Sequence, residues 1–533
     1  MQSRIARLLG VLADGLDRRP ALCLTIILVT VIPFAVMKSH STRLTGDEVY
    51  TLRIARQPTV SQMVYLSREI DLHPPLHYFT ERAALATHLP IWLASRLPSI
   101  LATALSMVIL FFFVARGSGY LFGLFAACIF WFTPALEFAW LNRPYALWLC
   151  FLALTTLVYQ HATERPRSSW LPFALFLSGS AMVLDYMAGL ACLLPFFVAE
   201  ATRTYRRRKI DFAIWIALIL PCSAILLYLA PVSAFAANSF VPSYLHYFGI
   251  LGNLYAGLML QPLAILAACV LAAILIFMSN PRAQEDFAKP ALPLSAEADT
   301  AAGSSSSVSN VLIGCCILGL PLLLAVIAAL RHNQFFSRYG ACAAIGFSFL
   351  VPAFVFRYVR YSRAVATLMT VALLITAAVQ CASANFEIQG IWRVHQAKDA
   401  IPLRLDSLDP QLPIVVANAI GYTEMNERES AAVLTRTYYL YDRDSALKFS
   451  GSTVFENENK VAALMGFQSK TAPLRPFLAA NRQFYMIASF THPEEWLPRK
   501  LAASGATIKY LGKFESTYVD VDLYLVTSAP LAQ

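Results

Sequence analysis

Apolar runs close to the length of a bilayer-crossing helix recur along most of this 533-residue chain, and they exclude most soluble folds. A hydrocarbon core is crossed by a helix of roughly 20 apolar residues. Runs near that length fall at 21–37, 97–115, 119–135, 144–160, 170–184, 187–200, 210–230, 251–278, 310–330, 339–356 and 364–382. With 58% hydrophobic and 14% charged residues, the chain cannot hide its apolar side chains in one water-soluble core. The expected architecture is a polytopic α-helical membrane protein of about eleven spans, the short pair around Asp185 being the least span-like. Arg4, Arg7, Arg18 and Arg19 precede the first run, which lacks a small-residue cleavage site and reads as an uncleaved first helix.

The formal net charge of +10 would suggest nucleic acid in a soluble protein. Here the basic residues fall in short loops between spans, where they set orientation instead. Arg165 and Arg167, then Arg203, Arg206, Arg207, Arg208 and Lys209, then Arg357, Arg360 and Arg363 all occur on alternate loops, which are assigned to the cytoplasm. Nucleic acid is thereby excluded as a partner. The opposite side receives a long first loop (38–96), loops near 136–143, 231–250 and 331–338, and everything after 383. Residues 280–310, rich in Pro, Ala and Ser, read as a flexible cytoplasmic linker. The cysteines lie in or beside apolar runs and form no CxxC pair, so they read as small lipid-phase side chains.

Past residue 382 the composition becomes that of a soluble domain. Strand-like runs at 413–417, 484–489, 507–511 and 521–526, with a helix-like segment at 494–503 closed by Gly505, predict a small α/β domain over 383–533. It carries no Gly-rich phosphate loop and reads as a lid or docking platform. Residues 1–382 form the transmembrane module.

The first external loop concentrates the ionisable groups. Asp47 and Glu48 are adjacent carboxylates, costly to desolvate at a membrane surface unless they hold a cation or a proton. The competing reading makes Asp47 the cap of a helix starting near Tyr50. Asp71 and His73 precede Pro74 and Pro75, whose fixed backbone holds them on a stiff segment. Glu48 and His73 are ligand types a divalent metal ion accepts, and two are too few to define a site. Among cations on the same side, which include Arg53, Arg143 and Arg338 stand out, because a planar guanidinium can grip phosphate oxygens at two points. Snorkelling at helix ends is the alternative for both. Asp185, followed by Tyr186, is either a donor-recognition group or a turn at the interface.

Four motifs stand in order: Asp47-Glu48 with Tyr50; Asp71-x-His73-Pro74-Pro75-Leu76-x-Tyr78; Arg96-x-Pro98-Ser99; and Arg143-Pro144-Tyr145-Ala146-Leu147. Together they resemble the GT-C glycosyltransferases of the protein O-mannosyltransferase and lipid A aminoarabinose transferase type. The resemblance is close over about the first 150 residues and topological beyond them. It implies a GT-C fold and transfer of a sugar from a polyprenyl-phosphate donor, dolichyl or undecaprenyl. The acceptor would be a lipid, glycan or protein at the periplasmic face of an inner membrane. It makes Asp47 the catalytic carboxylate; beside it, Glu48, Tyr50, Asp71, His73, Arg96, Arg143, Tyr145 and Arg338 are the candidate substrate-binding residues. Members differ in metal use. The chemistry agrees: a carboxylate can take the proton of a poorly nucleophilic hydroxyl, and a phosphate leaving group needs cations aimed at it. The alternative is a transporter or flippase for a lipid-linked sugar or small solute. Such proteins tend to show internal repeats and charged helices at the midplane, whereas this chain keeps its ionisable residues in loops.

Overall fold

The structure, a computed structural model, describes residues 2–228, 247–278, 301–330, 335–396, 405–490, 492, 495–514 and 521–528. Most of the loop 231–250, most of the linker 280–310 and part of the loop 331–338 lie outside the described residues. The chain folds as two compact units. One takes in residues 1–39, 96–227 and 244–387; the other takes in 40–95, 228–243 and 388–533. The first loop thus shares a unit with the C-terminal residues, although division of the sequence at residue 382 had set it among the spans.

The first unit is a helical bundle. Among the described residues seven helices are long and apolar enough to cross a membrane, or eight if the bent pair Tyr120–Trp131 and Pro134–Trp140 is one span. The run at 170–184 forms the shorter apolar helix Trp170–Asp185, and that at 210–230 forms Phe212–Ala224. The run at 187–200 divides between Gly189–Cys192 and Leu194–Arg207, with Pro195 at the start of the second piece. Helix Ala301–Leu330 takes in the last ten residues read as linker, because its Ala and Ser residues continue the apolar helix that follows. Tyr120–Trp131 is apolar all round and buried on every side, which places it at the bundle centre. A Cβ at Gly123 would overlap Ala115 Cβ at 2.9 Å, so glycine is what lets this helix approach Leu97–Ser118.

Side-chain pairs identify one end of the bundle. Arg363 binds Asp14 and Asp17 at 2.8 and 2.9 Å. Asp17 also accepts the Leu121 amide at 2.9 Å. Arg116 binds Glu164 at 2.6 Å, and the Tyr159 hydroxyl donates to Glu200, which holds Arg203 at 2.7 Å. The N-terminal helix and the loops carrying Arg165, Arg206 and Arg360 therefore share one end, as alternation of charge along the sequence requires.

The second unit contains a six-stranded sheet ordered β3-β2-β1-β4-β6-β5. Strands β1 (Ile414–Val416), β2 (Thr437–Tyr441), β3 (Lys470–Pro473) and β4 (Gln483–Ala488) run parallel, with helices in the crossovers. The antiparallel hairpin β5 (Thr507–Phe514) and β6 (Val521–Thr527) completes it. An apolar cluster covers each face, around Tyr422 and Ile487 on one side and Phe484 and Trp496 on the other. Buried on both faces, β1 reads Ile-Val-Val without alternation.

Candidate active site

Asp47 lies in the first turn of helix Gly46–Ala55, within what the sequence presents as a loop. The helix starts there because Thr45 and Glu48 form a reciprocal capping box. The Thr45 amide donates to Glu48 Oε2 at 2.9 Å, and the Glu48 amide donates to the Thr45 hydroxyl at 3.4 Å. Capping thus belongs to Thr45 and not to Asp47, which is half-buried while Glu48 is fully buried. The pattern Thr45-x-x-Glu48 was legible in the sequence as a helix start.

One face of this helix is held by the C-terminal residues of the same unit. The Gly46 amide donates to Glu424 Oε1 at 3.2 Å. The Tyr50 hydroxyl donates to the Glu458 carboxyl, with oxygens at 3.0 and 3.1 Å, and accepts from Thr423 at 3.0 Å. Arg53 bonds the Asn426 carbonyl at 3.0 Å and pairs with Glu427 at 2.8 Å, and Arg56 reaches Glu427 at 3.1 Å. Ile54, Met63, Leu66 and Tyr78 pack with Met465. Burial pushes the Glu458 carboxyl up to about 8, against the lowering effect of the Tyr50 hydrogen bond. Burial, then the neighbouring Glu458 charge, pushes the Tyr50 phenol well above its ordinary value. Sequence reading missed Glu424 and Glu458, since nothing local marks them.

The second motif closes on itself. Leu72 has a φ of 55°, a left-handed conformation unusual for a branched residue, and the His73 amide donates to the Ser67 carbonyl at 3.1 Å. This reversal lets the Tyr78 hydroxyl donate to Asp71 Oδ2 at 2.6 Å, while His73 Nε2 stands 3.9 Å from Asp71 Oδ1. His77 and Glu81, four apart on helix Leu76–Leu85, are both fully buried, a pair that their spacing could have signalled. Among the described residues no three His, Cys, Asp or Glu side chains gather to hold a metal ion. Glu48 spends one carboxyl oxygen on its cap.

The remaining candidates lie in the bundle, at the end opposite Asp17 and Arg363. Arg96, fully buried at the start of Leu97–Ser118, donates to the Ser39 carbonyl at 2.7 Å, and the Ser99 hydroxyl donates to that of Leu141 at 2.7 Å. Arg143 is buried just before Pro144, the cap of helix Tyr145–Glu164. Arg338 lies over the rings of Phe336 and Tyr339, 4.3 and 5.8 Å from their centroids. Tyr186 joins these parts, with its ring 5.3 Å from Tyr145 and 6.4 Å from Tyr339. The two arginines singled out in the sequence, nearly 200 residues apart, thus flank one run of rings, Arg143 two residues before Tyr145 and Arg338 over Tyr339. Asp185 is buried beside it and its carboxyl oxygens have no hydrogen-bond partner among the described residues.

Residues 72–228 match the family described as dolichyl-phosphate-mannose-protein mannosyltransferase. That segment includes His73, Arg96, Arg143, Tyr145 and Asp185; Asp47, Glu48 and Arg338 lie outside it. The resemblance to GT-C glycosyltransferases is thereby borne out over this segment. Among solved structures, the chain is similar to ArnT from Cupriavidus metallidurans bound to undecaprenyl phosphate, at 15% identity over 95% of this chain and 96% of that one, with a TM-score of 0.45. The apo state of that ArnT gives 15% identity over the same shares and a TM-score of 0.43. No curated protein matches the chain.

Proposed function

We propose that this multi-pass membrane protein is a glycosyltransferase that moves a sugar from a polyprenyl-phosphate donor to an acceptor at the periplasmic face of the inner membrane. The observation that carries the reading is the run of rings Tyr145, Tyr186 and Tyr339, with Arg143 two residues before Tyr145 at one end and Arg338 over Tyr339 at the other. Two guanidinium groups along one run of tyrosine rings, Arg143 buried and Arg338 half-buried, suit a phosphate that gains charge as its bond to the sugar breaks. The match over residues 72–228 supports the same class of chemistry.

In this reading the acceptor oxygen attacks the anomeric carbon and a new carbon–oxygen bond forms. The bond from that carbon to the phosphate oxygen breaks, and its electron pair leaves with the polyprenyl phosphate. The acceptor proton passes to the Asp47 carboxylate. Arg143 and Arg338 stabilise the departing phosphate. Asp71 and His73 position the sugar or its acceptor, and Glu48 shapes the helix that carries Asp47. A general base of this kind contributes about 10²–10⁴-fold to rate.

The test uses the purified chain in detergent with envelope extract and a panel of labelled polyprenyl-phosphate sugars, comparing wild type with Asp47→Asn. Transfer by wild type that falls at least about 10²-fold in the folded variant supports the assignment. Asp47→Asn turnover near wild type removes Asp47 as the base. Wild type inert toward every donor, with movement of lipid-linked sugar across liposomes, turns the reading to a transporter.

A further inference from the structure

Helix Gly46–Ala55 has ten residues, too few to be stable in water by itself. Its docked positions, Gly46, Tyr50 and Arg53, follow the i, i+4, i+7 pattern of a single helical stripe. At 3.6 residues per turn, Asp47 lies about a quarter-turn off that stripe. The stripe meets one element above all, helix Ala419–Arg428, which supplies Ile420, Thr423, Glu424, Asn426 and Glu427. Helix Glu458–Met465 adds Glu458, and Gly466 in left-handed conformation ends it. Two anchors bracket Asp47 in the chain. Glu424 satisfies the amide of the residue before it, one of the first-turn donors that a helix leaves unpaired. Glu458 holds Tyr50, three residues after it.

We propose that the C-terminal domain positions the catalytic base: Glu424 and Glu458, acting through Gly46 and Tyr50, hold helix Gly46–Ala55 so that Asp47 stands at a fixed place. The domain then takes part in transfer through the placing of Asp47. This rests on Asp47 being the base. Glu424 and Glu458 are positioning residues, since neither touches the reacting atoms. Tyr50, expected among the substrate contacts, serves the docking instead, with its hydroxyl shared by Glu458 and Thr423.

The experiment compares Glu424→Ala and Glu458→Ala with Glu424→Gln and Glu458→Gln in the full-length chain in nanodiscs. Amide hydrogen exchange and transfer kinetics are read on the same samples. The Gln variants keep an acceptor oxygen for the Gly46 amide and the Tyr50 hydroxyl, and the Ala variants do not. Each Ala variant should speed exchange at residues 46–55 by roughly tenfold, the value of one buried hydrogen bond, while amides of β1 and β4 stay protected. Its kcat should fall by about 10²-fold, as expected when a reacting group is misplaced by about 1 Å, with donor KM changed less than about twofold. The Gln variants should recover most of both losses, which a merely structural effect on the domain would not separate. If an Ala variant unfolds the sheet, Tyr50→Phe removes the hydroxyl alone and carries the same comparison. Unchanged exchange at 46–55, or faster exchange with unchanged kcat, overturns the proposal. A wild-type chain inert toward every donor sinks the transferase reading, and the exchange arm then decides alone whether the helix is held.

Discussion

Tyr78 and Asp71 lie seven residues apart, yet their side chains meet at 2.6 Å because the left-handed Leu72 turns the chain back. The short contact marks a strong bond to a largely buried carboxyl group, so removing the hydroxyl takes one buried hydrogen bond from it. Tyr78→Phe should lower stability by about 1–3 kcal/mol, measured by thermal unfolding in detergent; an unchanged midpoint would mean that water replaces the phenol. The arginines call for a different comparison. Lysine keeps the charge of Arg143 or Arg338 but loses the planar fork. Arg143→Lys and Arg338→Lys should each reduce transfer by about tenfold and the Ala variants by more, because a hydrogen bond to a charged group is worth about 1.5–3 kcal/mol. Lysine variants as active as wild type would reduce both residues to a source of positive potential.

At the scale of elements, the Asp47 helix is joined by hydrogen bonds to the two C-terminal helices that hold it. Gly46 shows how close they are: a Cβ there would stand 2.7 Å from the Ile420 carbonyl oxygen. Alanine is a better helix former than glycine by about 1 kcal/mol, so an unconstrained helix would gain from Gly46→Ala. In this interface the overlap should prevail, at a net cost of about 1–3 kcal/mol, and exchange at residues 46–55 should quicken. Slower exchange would show that the helices can part without penalty. Glu458 makes the same interface sensitive to pH. Its carboxyl is pushed up to about 8 from an ordinary 4.5, mainly by burial, so the folded unit binds a proton more tightly than the unfolded chain. The Tyr50 hydroxyl that it accepts from carries no positive charge to offset the burial. Stability is then greatest below 4.5, falls as pH rises toward about 8, and levels off above it. Exchange at 46–55, corrected for its intrinsic pH dependence, should therefore be faster at pH 9 than at pH 6. Glu458→Gln, which has no proton to lose, should flatten that difference, and an equal slope in the variant would assign it elsewhere.

For the whole molecule, the ion pairs at one end of the bundle make a prediction about sidedness. Asp14, Asp17 and Arg363 join the N-terminal helix to the loop before the last span, and Arg116, Glu164, Glu200 and Arg203 continue that end. Single cysteines at Arg206 and Arg360, in a chain with its ten native cysteines replaced, should react with an impermeant thiol reagent only from the cytoplasmic side. A cysteine at Asn459, exposed next to Glu458, should react only from the other side. Labelling of Asn459 and Arg206 from the same side would overturn the periplasmic assignment of the C-terminal domain.

What the sequence determined by itself is whatever depends on neighbours along the chain. Apolar length specified where helices run, the Thr45 and Glu48 spacing specified where the Asp47 helix begins, and short runs of β-forming residues marked β1, β4, β5 and β6. Strand β3 escaped notice because Lys470–Pro473 is a short edge with a polar start and a proline at its end. Strand β2, Thr-Tyr-Tyr-Leu-Tyr, carried the β-forming residues but stood among helix-forming segments. Only the tertiary structure decided that Gly46 would meet Glu424 across 378 residues, that Tyr50 would meet Glu458 across 408, and that Tyr186 would join the ring of Tyr145 to that of Tyr339 beneath Arg338. Such contacts leave no periodic trace, because they are made by whole elements packing their apolar faces together. The polar groups that then become neighbours are chosen by the packing, and their partners cannot be read from local spacing.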